Sequence, residues 1–205
     1  MHLRELFLNE DDRSTAVFAF GRFNPPTIGH QKLIEKVQSM TKQVNGKGFI
    51  FLTHTQNNKK DPLTFQEKQA YIRSQITDPN LEIGDPAVKT IIQALQKIQS
   101  QGRTRVIMVA GDDRVMEFQK FLNQYNGNPD KAGNIPYKFD DVQVVSAGQR
   151  DPDADDIAGV SASKAREWAL KGQEHEFSKI VMGGDAGKVL YDKIQDALGV
   201  QVDEN

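Results

Sequence analysis

Short apolar runs alternate along this chain with longer stretches whose apolar residues recur at helical spacing. The runs 15–20, 49–53, 105–110 and 142–146 read as strands. The continuous apolar run 49–53 has the pattern of a strand buried on both faces of a parallel sheet. The shorter run 81–83 fits an edge strand. Residues 28–43, 65–76 and 114–125 carry apolar positions three and four apart, which predicts helices. Val88, Ile91, Ile92, Leu95 and Ile98 form a further apolar face behind Pro86, a residue suited to a helix start. The resulting β-α-β-α-β-α-β-α-β rhythm predicts an α/β fold, a Rossmann-like five-stranded parallel sheet with helices on both faces.

The ends and loops modify this frame. Leu3, Leu6 and Phe7 give residues 1–14 the character of an arm that packs on the sheet or on a second subunit. Residues 15–171 form the main domain, and 172–205 a helical extension packed on it. The last helix is expected at 188–198, with Val189, Leu190, Ile194 and Leu198 on one face. Gly183 to Lys188 has the look of a phosphate-binding glycine loop. Its glycine spacing is one residue short, however, and Val189 replaces the hydroxyl that would meet a metal, so that assignment is rejected.

Composition narrows the function classes. The chain has 205 residues, 38% hydrophobic and 26% charged, which suits an ordinary globular protein. With no cysteine there is no disulfide framework, thiolate metal site or cysteine nucleophile. A net charge of -2 gives no general attraction to nucleic acid or membrane, so any anion site must be local. No apolar run is long enough to span a bilayer, and residues 1–15 lack the apolar core of a signal peptide. A cytoplasmic protein is expected.

The first strand runs into Gly21-Arg22-Phe23-Asn24-Pro25-Pro26-Thr27-Ile28-Gly29-His30 and then into a helix. A strand feeding a helix start collects free backbone N–H groups and the positive helix end at one place, which suits an anion. Gly21 permits close approach, and Gly29 permits a tight turn that puts His30 at the helix start beside Arg22 and Lys32. After the second strand comes a long polar loop with His54, Lys59 and Lys60, candidates for substrate contact from their place and charge. Thr64 and Glu67 form a capping box. The fourth strand ends at Gly111-Asp112-Asp113; the aspartates could meet substrate or cap the next helix, and a cap is the expected use of at least one. Ser161 is a good N-cap, and Arg166 lies one turn beyond Ser163, able to reach the same anion. The acidic run 151–156 reads as a solvated loop.

The decapeptide 21–30 resembles the G-x-F-x-P-x-[HT]-x-G-H signature of the nucleotidylyltransferase superfamily, which also holds the class I aminoacyl-tRNA synthetases. Thr27 stands where the family commonly has a first histidine, and this resembles some nicotinamide-mononucleotide adenylyltransferases, which also carry Thr there. Residues 61–68 resemble an N-P-L-T-x-E-E-R segment, 160–166 resembles I-S-x-[TS]-x-x-R, and Arg150 falls where many members place an arginine. The resemblance implies a fold of nucleotidylyltransferase type. It also implies transfer of a nucleoside monophosphate from an NTP to a phosphorylated small-molecule acceptor with release of pyrophosphate. ATP is favoured over CTP, with Mg2+ held mainly by the NTP. His30, Arg166 and Thr27 would be catalytic, and Gly21, Arg22, Phe23, Asn24, Gly29, Ser161, Ser163 and Lys164 would bind nucleotide. His54, Lys59, Lys60, Asp112 and Arg150 would meet the acceptor. The rival reading is a non-catalytic nucleotide sensor or structural protein on the same scaffold. A homo-oligomer is left open.

Overall fold

Strand β1 (Thr15–Gly21) lies at the middle of the sheet, because the order is β3-β2-β1-β4-β5. The other strands are β2 (Lys47–Leu52), β3 (Leu81–Ile83), β4 (Arg105–Ala110) and β5 (Asp141–Ser146). The computed structural model describes residues 14–148 and 161–199. Strand order 3-2-1-4-5 is that of a Rossmann-like sheet, whose order reverses at β1. Burial follows the sequence pattern. β1, β2 and β4 have nearly unbroken buried runs, whereas edge strand β5 alternates buried and half-buried positions.

Two compact units share the described chain. The first comprises 14–20, 33–51 and 78–148, and holds the sheet. Its core joins Phe18, Phe49, Phe51 and Met108 of the strands to Leu95 and Ile98 of α3 (Ile91–Ser100), Leu122 of α4 (Val115–Tyr125) and Tyr137. In register, β1 pairs with β4 from Thr15 opposite Arg105 to Phe18 opposite Met108.

Helix α3 starts later than Pro86 suggested. Thr90 and Gln93 form a reciprocal capping box, and the Asp85 side chain instead accepts the Ala87 N–H in a turn, so the helix begins at Ile91. The expected aspartate cap on α4 is also absent. Residues Asp112–Arg114 form a 3-10 turn, and the N-cap positions before it and before α4 fall on Gly111 and Arg114, with no side-chain cap bond.

The second unit comprises 21–32, 52–77 and 161–199. It contains α2 (Phe65–Gln75), α5 (Ala162–Leu170), α6 (Glu174–Ile180) and α7 (Lys188–Leu198), and the first turns of α1 (Ile28–Gln43), whose remainder belongs to the sheet unit. The predicted Thr64–Glu67 capping box is present on α2. Helix α7 has its predicted bounds but a different face: Leu190, Tyr191 and Ile194 are buried, while Val189 is 58% exposed. The burial stripe follows the 190, 191, 194 spacing, and Val189 falls one residue outside it. Gly183, at φ 84, leads a 3-10 turn over Gly184–Gly187 in place of a phosphate loop. The arm at 1–13, Arg150 and the acidic run 151–156 lie outside the described residues.

Candidate active site

The chain leaves β1 at Gly21 and makes a buried turn before α1. Phe23 is 0% exposed and has φ 49, a left-handed conformation that costs a bulky L-residue about 1–2 kcal/mol. Two contacts hold it there. A Cβ on Gly21 would come within 2.9 Å of the Phe23 ring, so only glycine leaves that ring its place. The ring also lies against His30, centroids 4.6 Å apart. Asn24, 1% exposed, donates from Nδ2 to the Leu63 carbonyl at 2.9 Å and accepts the Leu63 N–H at 3.0 Å. One buried amide thus ties the turn to the segment leading into α2.

Thr27 is equally buried and bonds His30 twice. Its backbone N–H donates to Nδ1 at 3.1 Å, and its hydroxyl oxygen lies 2.9 Å from the same nitrogen. Since an N–H can only donate, Nδ1 is the acceptor nitrogen, and the imidazole proton is on Nε2. Thr27 also forms an antiparallel bridge with Val181, and the Met182 N–H donates to the Pro26 carbonyl at 3.1 Å. These bonds fix the histidine from behind.

A cavity of about 230 Å³ opens within this unit, lined by Arg22, Phe23, Asn24, His30, Asp61, Ser161, Ala162, Ser163 and Arg166. The start of α5 supplies its far wall. The Ser161 hydroxyl accepts the Lys164 N–H at 3.3 Å, the cap read from the sequence. Arg166 donates from Nη1 to the Asn24 carbonyl at 2.6 Å and from Nη2 to the Ser163 hydroxyl at 3.0 Å. Two motifs far apart in the chain therefore meet through one guanidinium. Burial pulls the Arg166 pKa down and Arg22 adds to this, while the Asp61 carboxylate opposes both.

The predicted residues divide on this geometry. His30, Arg22, Phe23, Asn24, Ser161, Ser163 and Arg166 line the cavity. Thr27 and Gly21 stand behind it, supporting His30 and Phe23. Gly29 is within the first turn of α1 and is not in the lining. Lys164 turns to Glu167 at 3.1 Å and to the Trp168 ring. Lys59 and Lys60 sit exposed on a small loop, their N–H groups bonded to the Asn57 side-chain oxygen. His54 stacks on Phe65 at 4.2 Å, and its Nε2 is buried without a partner, as is the neighbouring Thr53 hydroxyl. Asp112 belongs to the sheet unit, in the turn after β4.

Sequence reasoning missed two charged residues. Asp61, 3% exposed, lines the cavity, and its backbone pairs with Asn57 in both directions. Lys68, 0% exposed, donates to the Arg22 carbonyl at 3.0 Å and the Thr53 carbonyl at 2.7 Å. Lys68 shares a helix face with Phe65 and Ile72, and that spacing was the available signal.

The chain has a parallel sheet of order 3-2-1-4-5, and the turn that follows β1 carries a histidine and is bonded by an arginine of the α5 start; these are the parts of a Rossmann-like nucleotidyltransferase scaffold. The sequence profile of the cytidylyltransferase-like family matches residues 18–168, and the chain belongs to that family. Among solved structures it is similar to a nicotinic acid mononucleotide adenylyltransferase of Plasmodium falciparum complexed with APC. The two share 13% identity at a TM-score of 0.56, over 87% of this chain and 98% of the other, which is a likeness of fold. No curated protein sequence matches the chain. Among the described residues, no helix is long and apolar enough to cross a membrane.

Proposed function

We propose that this protein transfers a nucleoside monophosphate, AMP in preference to CMP, from an NTP to a phosphorylated small molecule. An oxygen of the acceptor phosphate attacks the α-phosphorus, the bond to the bridging oxygen of the β-phosphate breaks, and pyrophosphate leaves with that electron pair. The observation that carries this reading is the meeting of His30, Arg22, Ser163 and Arg166 around one cavity. His30, protonated at Nε2, donates to the phosphoryl oxygens as charge builds on them, and the arginines and serines hold the β- and γ-phosphates.

Among the described residues no cluster of three or more His, Cys, Asp or Glu could cage a metal, and Asp61 is the one carboxylate in the lining. That donor set fits Mg2+ that arrives on the triphosphate and keeps most of its water. Bound there, Mg2+ would neutralise phosphate charge. The acceptor lies on the side of the 53–64 loop, where the buried, unpartnered Thr53 hydroxyl and His54 Nε2 await a polar group.

The test is incubation with ATP and CTP in turn, each with nicotinamide mononucleotide, nicotinate mononucleotide, phosphopantetheine and phosphosugars, followed by pyrophosphate release. Release with ATP and one mononucleotide supports the reading. Tight nucleotide binding with no release from any pair supports the sensor, for which the replacement of a first histidine by Thr27 is the one favouring observation.

A further inference from the structure

Lys68 has no exposed surface, although a lysine side chain normally keeps its ammonium in water. It takes a core position of α2 beside Phe65 and Ile72, and its two bonds go to carbonyls of different chain segments. Arg22 follows β1 and Thr53 follows β2, and the Thr53 N–H itself donates to the Gly21 carbonyl at 2.9 Å. One ammonium thus joins two strand exits next to the cavity. Asp61 completes the arrangement. It lines the cavity with Arg22 and Arg166, and its carboxylate favours the charged forms of both Lys68 and Arg166. A carboxylate inside a polyphosphate site repels the ligand and occupies its arginines unless another cation offsets it.

We propose that Lys68 is a positioning residue of this site: its ammonium joins the Arg22 and Thr53 carbonyls and offsets Asp61, leaving Arg22 and Arg166 to a polyphosphate. The inference rests on the reading of the cavity as a polyphosphate site. It makes ligand binding depend on one buried proton. Burial lowers Lys68 to about 8, with Asp61 opposing. The other charges nearby are Arg22 and Arg166, which line the cavity with Asp61, and the adjoining Glu67, which is engaged by Lys193 at 2.8 Å. When Lys68 gives its proton to solvent, the Asp61 charge is left to the arginines and the polyphosphate is repelled.

Binding of inorganic triphosphate, measured by calorimetry across the neutral to alkaline range, tests this together with the amide shifts of Phe23 and His54, the N–H groups that follow the two accepting carbonyls. In the native protein, affinity falls about tenfold or more as Lys68 loses its charge, and both amides titrate with the same midpoint. Lys68→Arg, which keeps its charge, leaves binding and amides flat. Asp61→Asn moves the midpoint to lower pH. Lys68→Met, a second variant should arginine not fit, binds weakly at every pH. Amides that do not titrate in the native protein, or that titrate equally in Lys68→Met, overturn the proposal. Amides that titrate as expected while triphosphate binds at no pH overturn the polyphosphate reading and support the joining of the strand exits.

Discussion

The Thr27 hydroxyl oxygen lies 2.9 Å from Nδ1 of His30, and the Thr27 N–H reaches the same nitrogen at 3.1 Å. Thr27 is 1% exposed, so its side chain faces inward and acts on substrate through the histidine. Thr27→Val keeps the shape and the N–H but removes the hydroxyl. The loss of one hydrogen bond of about 1 kcal/mol lowers kcat by roughly three- to tenfold. Steady-state kinetics should put this in kcat, with KM for the NTP little changed. Thr27→His, which would restore the commoner two-histidine wording, forces a larger ring into a buried position and destabilises the fold by about 1–3 kcal/mol.

Arg166 is bidentate between the Asn24 carbonyl and the Ser163 hydroxyl. Lysine offers a point charge where the site uses a fork. Arg166→Lys is therefore expected to lower kcat/KM nearly as much as Arg166→Ala, about 10² or more for loss of a charge-stabilising donor. Full rescue by lysine would contradict the assignment.

Asn24 carries structural weight. Its amide makes both backbone bonds to Leu63. Asn24→Ala leaves a buried N–H and a buried C=O without partners, and should cost about 2–5 kcal/mol in urea unfolding. A change under about 1 kcal/mol would mean that the turn relaxes to pair them otherwise.

Lys68 also sets a pH dependence of stability. Its folded pKa, about 8, is below the unfolded value of 10.5. Between those values the unfolded chain holds a proton that the folded chain has released, so this group's contribution to stability rises with pH across that window, by on the order of 3 kcal/mol. The difference in unfolding free energy between the native protein and Lys68→Met should move in favour of the native protein over the same range. A difference independent of pH would contradict the burial of a titrating ammonium.

Much of this was legible in the sequence. Strands β1, β2 and β4 are apolar runs, and local cap chemistry marks the starts of α2 and α5. Helix α1 matched its predicted bounds, Ile28–Gln43. Pro86 misled because its fixed φ suits a turn as well as a helix start, and the Thr90–Gln93 box decided the matter. Val189 misled because one residue of helical phase separates a buried stripe from solvent. Asp61 and Lys68 were hidden for a different reason. Charge on a helix, as at Lys68, or in a polar loop, as at Asp61, reads as solvent-facing, and only their placement with Arg22, Thr53 and Arg166 makes them buried. Thr27 was legible as a departure from a motif, but its bond to His30 required the fold.

The role of His30 is the centre of the account. Its ring is fixed by Thr27 at Nδ1 and by Phe23 at its face, and it lines the cavity. The most direct measurement is pyrophosphate release by the native protein and by His30→Ala, with ATP and the acceptor that gives turnover, alongside thermal unfolding of both. The account predicts a fall in kcat of about 10² or more, as for loss of one transition-state donor, with the unfolding transition retained. Turnover at the native rate in a folded His30→Ala protein would contradict it.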